Sequence, residues 1–162
     1  MTVPQREAAT ADCGDVRIVL ADDHDLICEG IAAVLAREPD LTLIAVTNDE
    51  TGATDLLGRM RPDLLLIDLS ISRRDPICLL REIVAAAPTL RILVLAAYAE
   101  QRYAERVVCT GASGYFIKSA SASELVHVIR AVMAGETCAG TRLSHPNLTA
   151  NVGLARADSA SP

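Results

Sequence analysis

Five short apolar runs, each followed by a stretch of helical spacing, constrain this chain more than any other feature. The runs are 16–21 (VRIVLA), 41–46 (LTLIAV), 64–67 (LLLI, closed by Asp68), 91–95 (RILVL) and 113–117 (SGYFI). The third is aliphatic at every position, which fits a strand covered on both faces rather than one with a wet side. Between the runs, helices are expected over 25–37, where Leu26, Ile27, Ile31, Val34 and Leu35 fall on one face, and over 48–60, a weaker pattern interrupted by Gly52 and Gly58. Further helices are expected over 78–87, 100–110 and 124–134. Asp75-Pro76 suits an N-cap followed by proline at the first helical position, Gly111 and Gly135 suit helix ends, and Ser121 or Ser123 would cap the last helix. Strand and helix alternate five times, and right-handed crossovers then require a doubly wound, five-stranded parallel sheet with helices on both faces. The expected strand order is 2-1-3-4-5.

Ligands of such sheets bind beyond the carboxyl ends of the strands. The first strand ends in Asp22-Asp23, the third in Asp68, the fourth in Ala96-Ala97 and the fifth in Lys118. In the expected order these four ends are neighbours, so three carboxylates and one ammonium converge. Clustered carboxylates repel one another unless a cation or protons intervene, and a hard divalent ion such as Mg²⁺ binds a few carboxylates while keeping several waters. With charge neutralised in this way, a carboxylate can accept a phosphoryl group, and Lys118 can offset the charge on its oxygens.

Composition narrows the partners. The formal net charge is −6, with 21 acidic against 15 basic residues, which argues against nonspecific nucleic-acid binding. No apolar run approaches membrane-span length, and the N-terminus has no apolar segment of a secretory signal. The five cysteines, Cys13, Cys28, Cys78, Cys109 and Cys138, are dispersed without zinc spacing and fit reduced thiols in a cytoplasmic protein. Residues 1–15 and 135–162 are expected to be disordered, flanking one domain over 16–134; the tail is rich in Ser, Thr, Ala, Asn and Gly and lacks apolar periodicity.

Three strings, in order and on the expected elements, carry a resemblance: Ala21-Asp22-Asp23-His24, Leu66-Ile67-Asp68-Leu69 and Gly111-Ala112-Ser113-Gly114-Tyr115-Phe116-Ile117-Lys118. Residues 16–134 resemble the receiver domain of two-component response regulators, of the NarL/FixJ type, whose fold is flavodoxin-like. The resemblance implies that Asp68 is the phospho-acceptor for a sensor histidine kinase. It implies Mg²⁺ held by Asp23 directly, by Asp22 through water, by Asp68 and by the Ser70 carbonyl, with Lys118 bridging to the phosphoryl group. Tyr115 falls where the family has an aromatic that turns between exposed and buried positions.

Two departures stand out. The family has Thr or Ser at the end of strand four, where the hydroxyl bonds a phosphoryl oxygen; Ala96 stands there and Ala97 follows, so switching is expected to be weakened. The loop after the acceptor reads Ile71-Ser72-Arg73-Arg74-Asp75-Pro76, and its arginines fit a solvated pair better than a phosphate clamp. Members of this subfamily add a helix-turn-helix output domain. The 27 residues from Glu136 to Pro162, including Leu143-Ser144-His145-Pro146, are too few for one, so direct DNA binding is not expected. The alternatives are a single-domain interaction module or phosphate sink, and a truncated transcriptional regulator. An enzyme is not expected: the second aspartate of haloacid-dehalogenase phosphatases is Ser70 here, no phosphate-binding Gly-rich loop is present, and His24 reads as the opening of the first helix. A homodimer through the fourth or fifth helix would use ordinary exposed residues such as Arg102, Tyr103, Glu105 and Arg106.

Overall fold

The computed structural model describes residues 14–139. Cys13 and the string Leu143-Ser144-His145-Pro146, with most of both expected disordered segments, lie outside the described residues. The strands are β1 (Val16–Ala21), β2 (Leu41–Thr47), β3 (Leu64–Asp68), β4 (Arg91–Ala96), β5 (Gly114–Ile117) and β6 (Cys138–Ala139). The helices are α1 (Asp25–Leu35), α2 (Glu50–Met60), α3 (Pro76–Ala86), α4 (Gln101–Thr110) and α5 (Ala122–Met133). All pairings are parallel, in the order β2-β1-β3-β4-β5-β6.

The two-residue period of the strands divides the core. Ile18, Leu20, Leu64, Leu66, Leu93, Leu95 and Phe116 face α1 and α5, where Leu35, Leu125, Ile129 and Val132 meet them. Val19, Leu65, Ile67, Ile92, Val94 and Tyr115 point the other way, onto Ala53 of α2, Leu80 and Ile83 of α3 and Val107 of α4. Every residue of β3 is buried, Asp68 included, which explains why that run has no polar alternation. Caps set the helix starts. Asp75 accepts from the Ile77 amide at 3.0 Å ahead of Pro76, and Ser121 forms a capping box with Glu124. Gly111 ends α4 at φ 115°, a conformation that favours glycine. Arg130 ties α5 to the α1–β2 turn, bonding Glu38 at 2.7 Å and Asp40 at 2.7 and 2.9 Å.

One element departs from the sequence-based expectation. The segment after α5 was expected to be structureless from residue 135, yet Cys138–Ala139 adds a sixth strand beside β5, with Gly114 opposite Cys138 and Tyr115 opposite Ala139. The Cys138 amide donates to the Ser113 carbonyl at 3.1 Å, and its side chain is buried. Two residues carry no periodicity, so main-chain pairing rather than pattern defines this strand. Gly114 makes room for it: a Cβ there would stand 2.9 Å from both the Cys138 carbonyl oxygen and Leu93 Cδ1. Gly114→Ala is therefore expected to lower stability by about 1–3 kcal/mol through overpacking. Urea denaturation would measure the loss, and amide exchange would accelerate at Cys138 and Ala139; unchanged exchange there would show that β6 does not depend on the glycine.

Candidate functional site

The pocket is assembled at the carboxyl ends of β1, β3 and β5, with β4 between the last two. Asp22 follows β1 and its amide donates to the Thr47 carbonyl at 3.0 Å, so the turn out of β1 is pinned to β2. Its side chain folds back on the turn, where Oδ1 accepts from the His24 amide at 2.9 Å. Asp68 ends β3, and its Oδ1 accepts from the Ser70 amide at 2.7 Å, closing the short 3-10 turn Leu69–Ile71. Lys118 follows β5; its amide donates to the Ala96 carbonyl at 2.8 Å, holding the ends of β4 and β5 together. Its ammonium pairs with Asp68 Oδ2 and lies 2.6 Å from Asp22 Oδ2.

Both carboxylates are deep: Asp22 is 1% and Asp68 7% exposed, and they are the buried charged residues among those described. Burial alone would raise the Asp68 carboxyl, but Lys118 and the Ser70 amide outweigh it and hold the group below the usual aspartate range. Burial likewise disfavours the Lys118 ammonium, and the carboxylates of Asp22 and Asp68 overcome this and raise it. Asp68 is thus an ionised, desolvated carboxylate. Asp22 Oδ2 is buried, and the Lys118 ammonium at 2.6 Å is its partner. Three carboxylates against one ammonium leave the cluster about two charges short of neutrality, the deficit a divalent cation fills.

The structure brings Asp22, Asp23, Asp68 and Lys118 together, as the strand ends predicted. It adds His24, which sequence reasoning assigned only to the start of α1. His24 is indeed the N-cap residue, but its imidazole makes no capping bond. Nδ1 instead lies 2.8 Å from Asp22 Oδ1, 3.0 Å from Asp23 Oδ1 and 3.9 Å from Asp68 Oδ2. Asp22, Asp23, His24 and Asp68 each offer a ligand atom, all within 4.8 Å of one another. The available signal was a histidine directly after two aspartates in a turn.

The remaining expected residues lie around this pocket. Ala96, half-buried, presents only a methyl group one residue beyond Leu95, the residue paired with Asp68 across β3 and β4. Tyr115 is 2% exposed; its hydroxyl donates to the Tyr98 carbonyl at 2.8 Å, and its ring meets Tyr103 edge-on at 6.1 Å. Arg74 is not the freely solvated side chain expected. Its guanidinium bonds Glu50 at 2.7 Å and Glu82 at 2.6 Å, linking the loop after β3 to α2 and α3.

A profile described as the Response regulator receiver domain matches residues 18–130. The chain belongs to this family. It is 31% identical over 137 residues to the transcriptional regulatory protein DegU of Brevibacillus brevis, covering 85% of this chain and 56% of that protein. Identity to LiaR of Bacillus subtilis, another transcriptional regulatory protein, is 31% over 121 residues, covering 75% of this chain and 57% of that one. Among solved structures, a LuxR-family two-component response regulator from an Aurantimonas species superposes with a TM-score of 0.73 at 28% identity, covering 90% of this chain and 100% of that one. The receiver thus spans somewhat over half the length of these curated relatives. Among the described residues, no helix is long and apolar enough to cross a membrane.

Proposed function

We propose that this receiver accepts a phosphoryl group from the phosphohistidine of a sensor histidine kinase onto Asp68. The observation that carries the reading is the buried, ionised Asp68 carboxylate with the Lys118 ammonium on one of its oxygens. In the transfer, an Asp68 oxygen attacks phosphorus, the P–N bond breaks, and its electron pair stays on the donor imidazole. Asp68 becomes a mixed anhydride. Asp22, Asp23, Asp68 and the Ser70 carbonyl would hold Mg²⁺, and the clustering of the three carboxylates with the two-charge deficit supports that assignment. When bound, the ion supplies positive charge to the phosphoryl oxygens. Lys118 keeps Asp68 ionised before transfer and afterwards can offset the anionic oxygens it then carries.

The donor domain approaches over the open rim. A cleft of about 200 Å³ beside the pocket is lined by Leu26, Ile31, Phe116, Lys118 and Leu125, and Leu26 is 81% exposed at its mouth, an apolar contact for a helical partner. Transcriptional control, named in the curated relatives, is the output proposed for such phosphorylation, without DNA contact by residues 14–139. Incubation with acetyl phosphate and Mg²⁺, followed by intact-mass measurement, is expected to show one phosphoryl adduct that a chelator prevents. No adduct under either condition would defeat the proposal.

A second reading, an interaction module or phosphate sink with little switching, is favoured by Ala96. A hydrogen bond to a charged oxygen contributes about 1.5–3 kcal/mol, comparable to a whole allosteric coupling of about 1–3 kcal/mol. Tyr115 is already inward, its hydroxyl held by the Tyr98 main chain rather than by any group on residue 96. Beryllofluoride is therefore expected to move amide signals close to Asp68 and few in α4, whereas in Ala96→Thr the changes should extend into α4. Wide changes in the unaltered protein would remove the support for this reading.

A further inference from the structure

We infer that His24 is a nitrogen ligand of the cation pocket and shifts its preference from Mg²⁺ towards divalent ions that favour imidazole. The inference rests on the cation site proposed above and concerns a residue outside the ligand set assigned there.

The first support is what His24 leaves undone. It occupies the N-cap of an eleven-residue helix, where Ser, Thr, Asp or Asn would satisfy an amide of the first turn, and its side chain makes no such bond. The backbone turn instead directs the imidazole back over Asp22 and Asp23. The second support is spacing. In an octahedron with bonds of about 2.1 Å, adjacent ligand atoms stand about 3 Å apart and opposite ones about 4.2 Å. Nδ1 lies 2.8 and 3.0 Å from the Asp22 and Asp23 oxygens and 3.9 Å from Asp68 Oδ2. Measured from Nδ1, two separations match adjacent ligand positions and one approaches the opposite-ligand distance. The third support is independent of His24: Asp22, Asp23 and Asp68 set three carboxylates against the single Lys118 ammonium, which already pairs with both Asp22 and Asp68. A cation among these atoms makes up the missing charge and binds the imidazole nitrogen as well.

The chemical consequence follows from ligand type. Carboxylates and a carbonyl form an all-oxygen set suited to Mg²⁺, whereas an imidazole nitrogen strengthens binding of later first-row ions. A neutral imidazole changes the donor set without changing the charge of the site. The competing arrangement is an Nδ1–H that donates to Asp22, which occupies the same distances but leaves the nitrogen unable to bind a metal.

Pulsed EPR of the Mn²⁺-loaded protein separates the two. The unaltered chain is expected to show nitrogen modulation from a directly bound imidazole, and His24→Ser, which supplies a good helix cap and no nitrogen, is expected to lose it. Isothermal titrations should show the Co²⁺-over-Mg²⁺ affinity ratio falling on the order of tenfold in His24→Ser, the lower end of what perturbing a metal site typically costs. Circular dichroism checks that the variant is folded. Mn²⁺ binding without nitrogen modulation, or modulation that persists in His24→Ser, overturns the role of His24 and leaves phosphoryl acceptance at Asp68 standing. Failure of the unaltered protein to bind any of the three ions overturns the cation site itself, and the role of His24 with it.

Discussion

Asp68→Asn will take up no phosphoryl group from acetyl phosphate under conditions in which the unaltered chain is labelled. The amide matches the carboxylate in shape, and its oxygen can still accept from the Ser70 amide, so the turn after β3 is kept. It lacks the negative charge that makes the side chain a nucleophile. The loss is therefore complete rather than graded, unlike that of a residue that only positions the group. Stability should change little, within about 1 kcal/mol, because one of three crowded carboxylates is removed while Lys118 keeps Asp22 at 2.6 Å. Intact-mass spectra of the two proteins side by side read the outcome. A phosphoryl adduct on the variant would place the acceptor elsewhere.

Lys118→Met should carry the largest stability penalty of any single change in the pocket. It leaves two buried carboxylates, Asp22 and Asp68, without their common counter-charge. Removing one partner of a buried pair costs about 3–5 kcal/mol, and the open rim of this pocket places the expectation near about 3 kcal/mol. In the unaltered protein the Asp68 carboxyl is held low, so its contribution is present above the ordinary aspartate value and is lost as pH falls through the folded value. The Lys118 ammonium is held high, so its contribution is present below the ordinary lysine value and is lost as pH rises through the folded one. In the variant Lys118 no longer offsets burial, so the Asp68 carboxyl rises and its contribution shrinks. The stability gap between the two proteins should accordingly narrow from about pH 7 to about pH 4. Mg²⁺ at about one hundred times its Kd should return about 2.7 kcal/mol. Urea titrations at the two pH values, with and without Mg²⁺, measure all three effects. A gap independent of pH and of Mg²⁺ would mean that Lys118 acts through its aliphatic stem.

Much of this architecture was legible because the signals were periodic. The aliphatic run 64–67 announced a strand covered on both faces, and β3 is buried throughout. Asp75-Pro76 announced the start of α3, and of the two serines offered as caps for α5 it is Ser121 that forms the box. The pocket was legible because parallel topology places strand ends side by side, whatever lies between them in sequence. What stayed hidden depends on groups far apart or on orientation. Arg74 meets Glu50 and Glu82 across 24 and 8 residues, separations that no local pattern reports. His24 begins a helix as expected, but which way its ring turns is settled by the backbone turn after Asp22 rather than by residue type. Strand β6 is two residues long and is recognised by its register alone.

That last strand also gives the chain a heading. Ala139 lies beside Tyr115, three positions before Lys118, and the parallel pairing means that it travels the same way as β5. At a strand rise of about 3.3 Å per residue, the main chain is there only about 10 Å short of the level of the ammonium. Strand β6 thus runs towards the end of the sheet where Asp68 would be modified, on a track bonded directly to the strand that carries Tyr115. Residues anchored in this way can feel a shift of β5 without any helix relaying it.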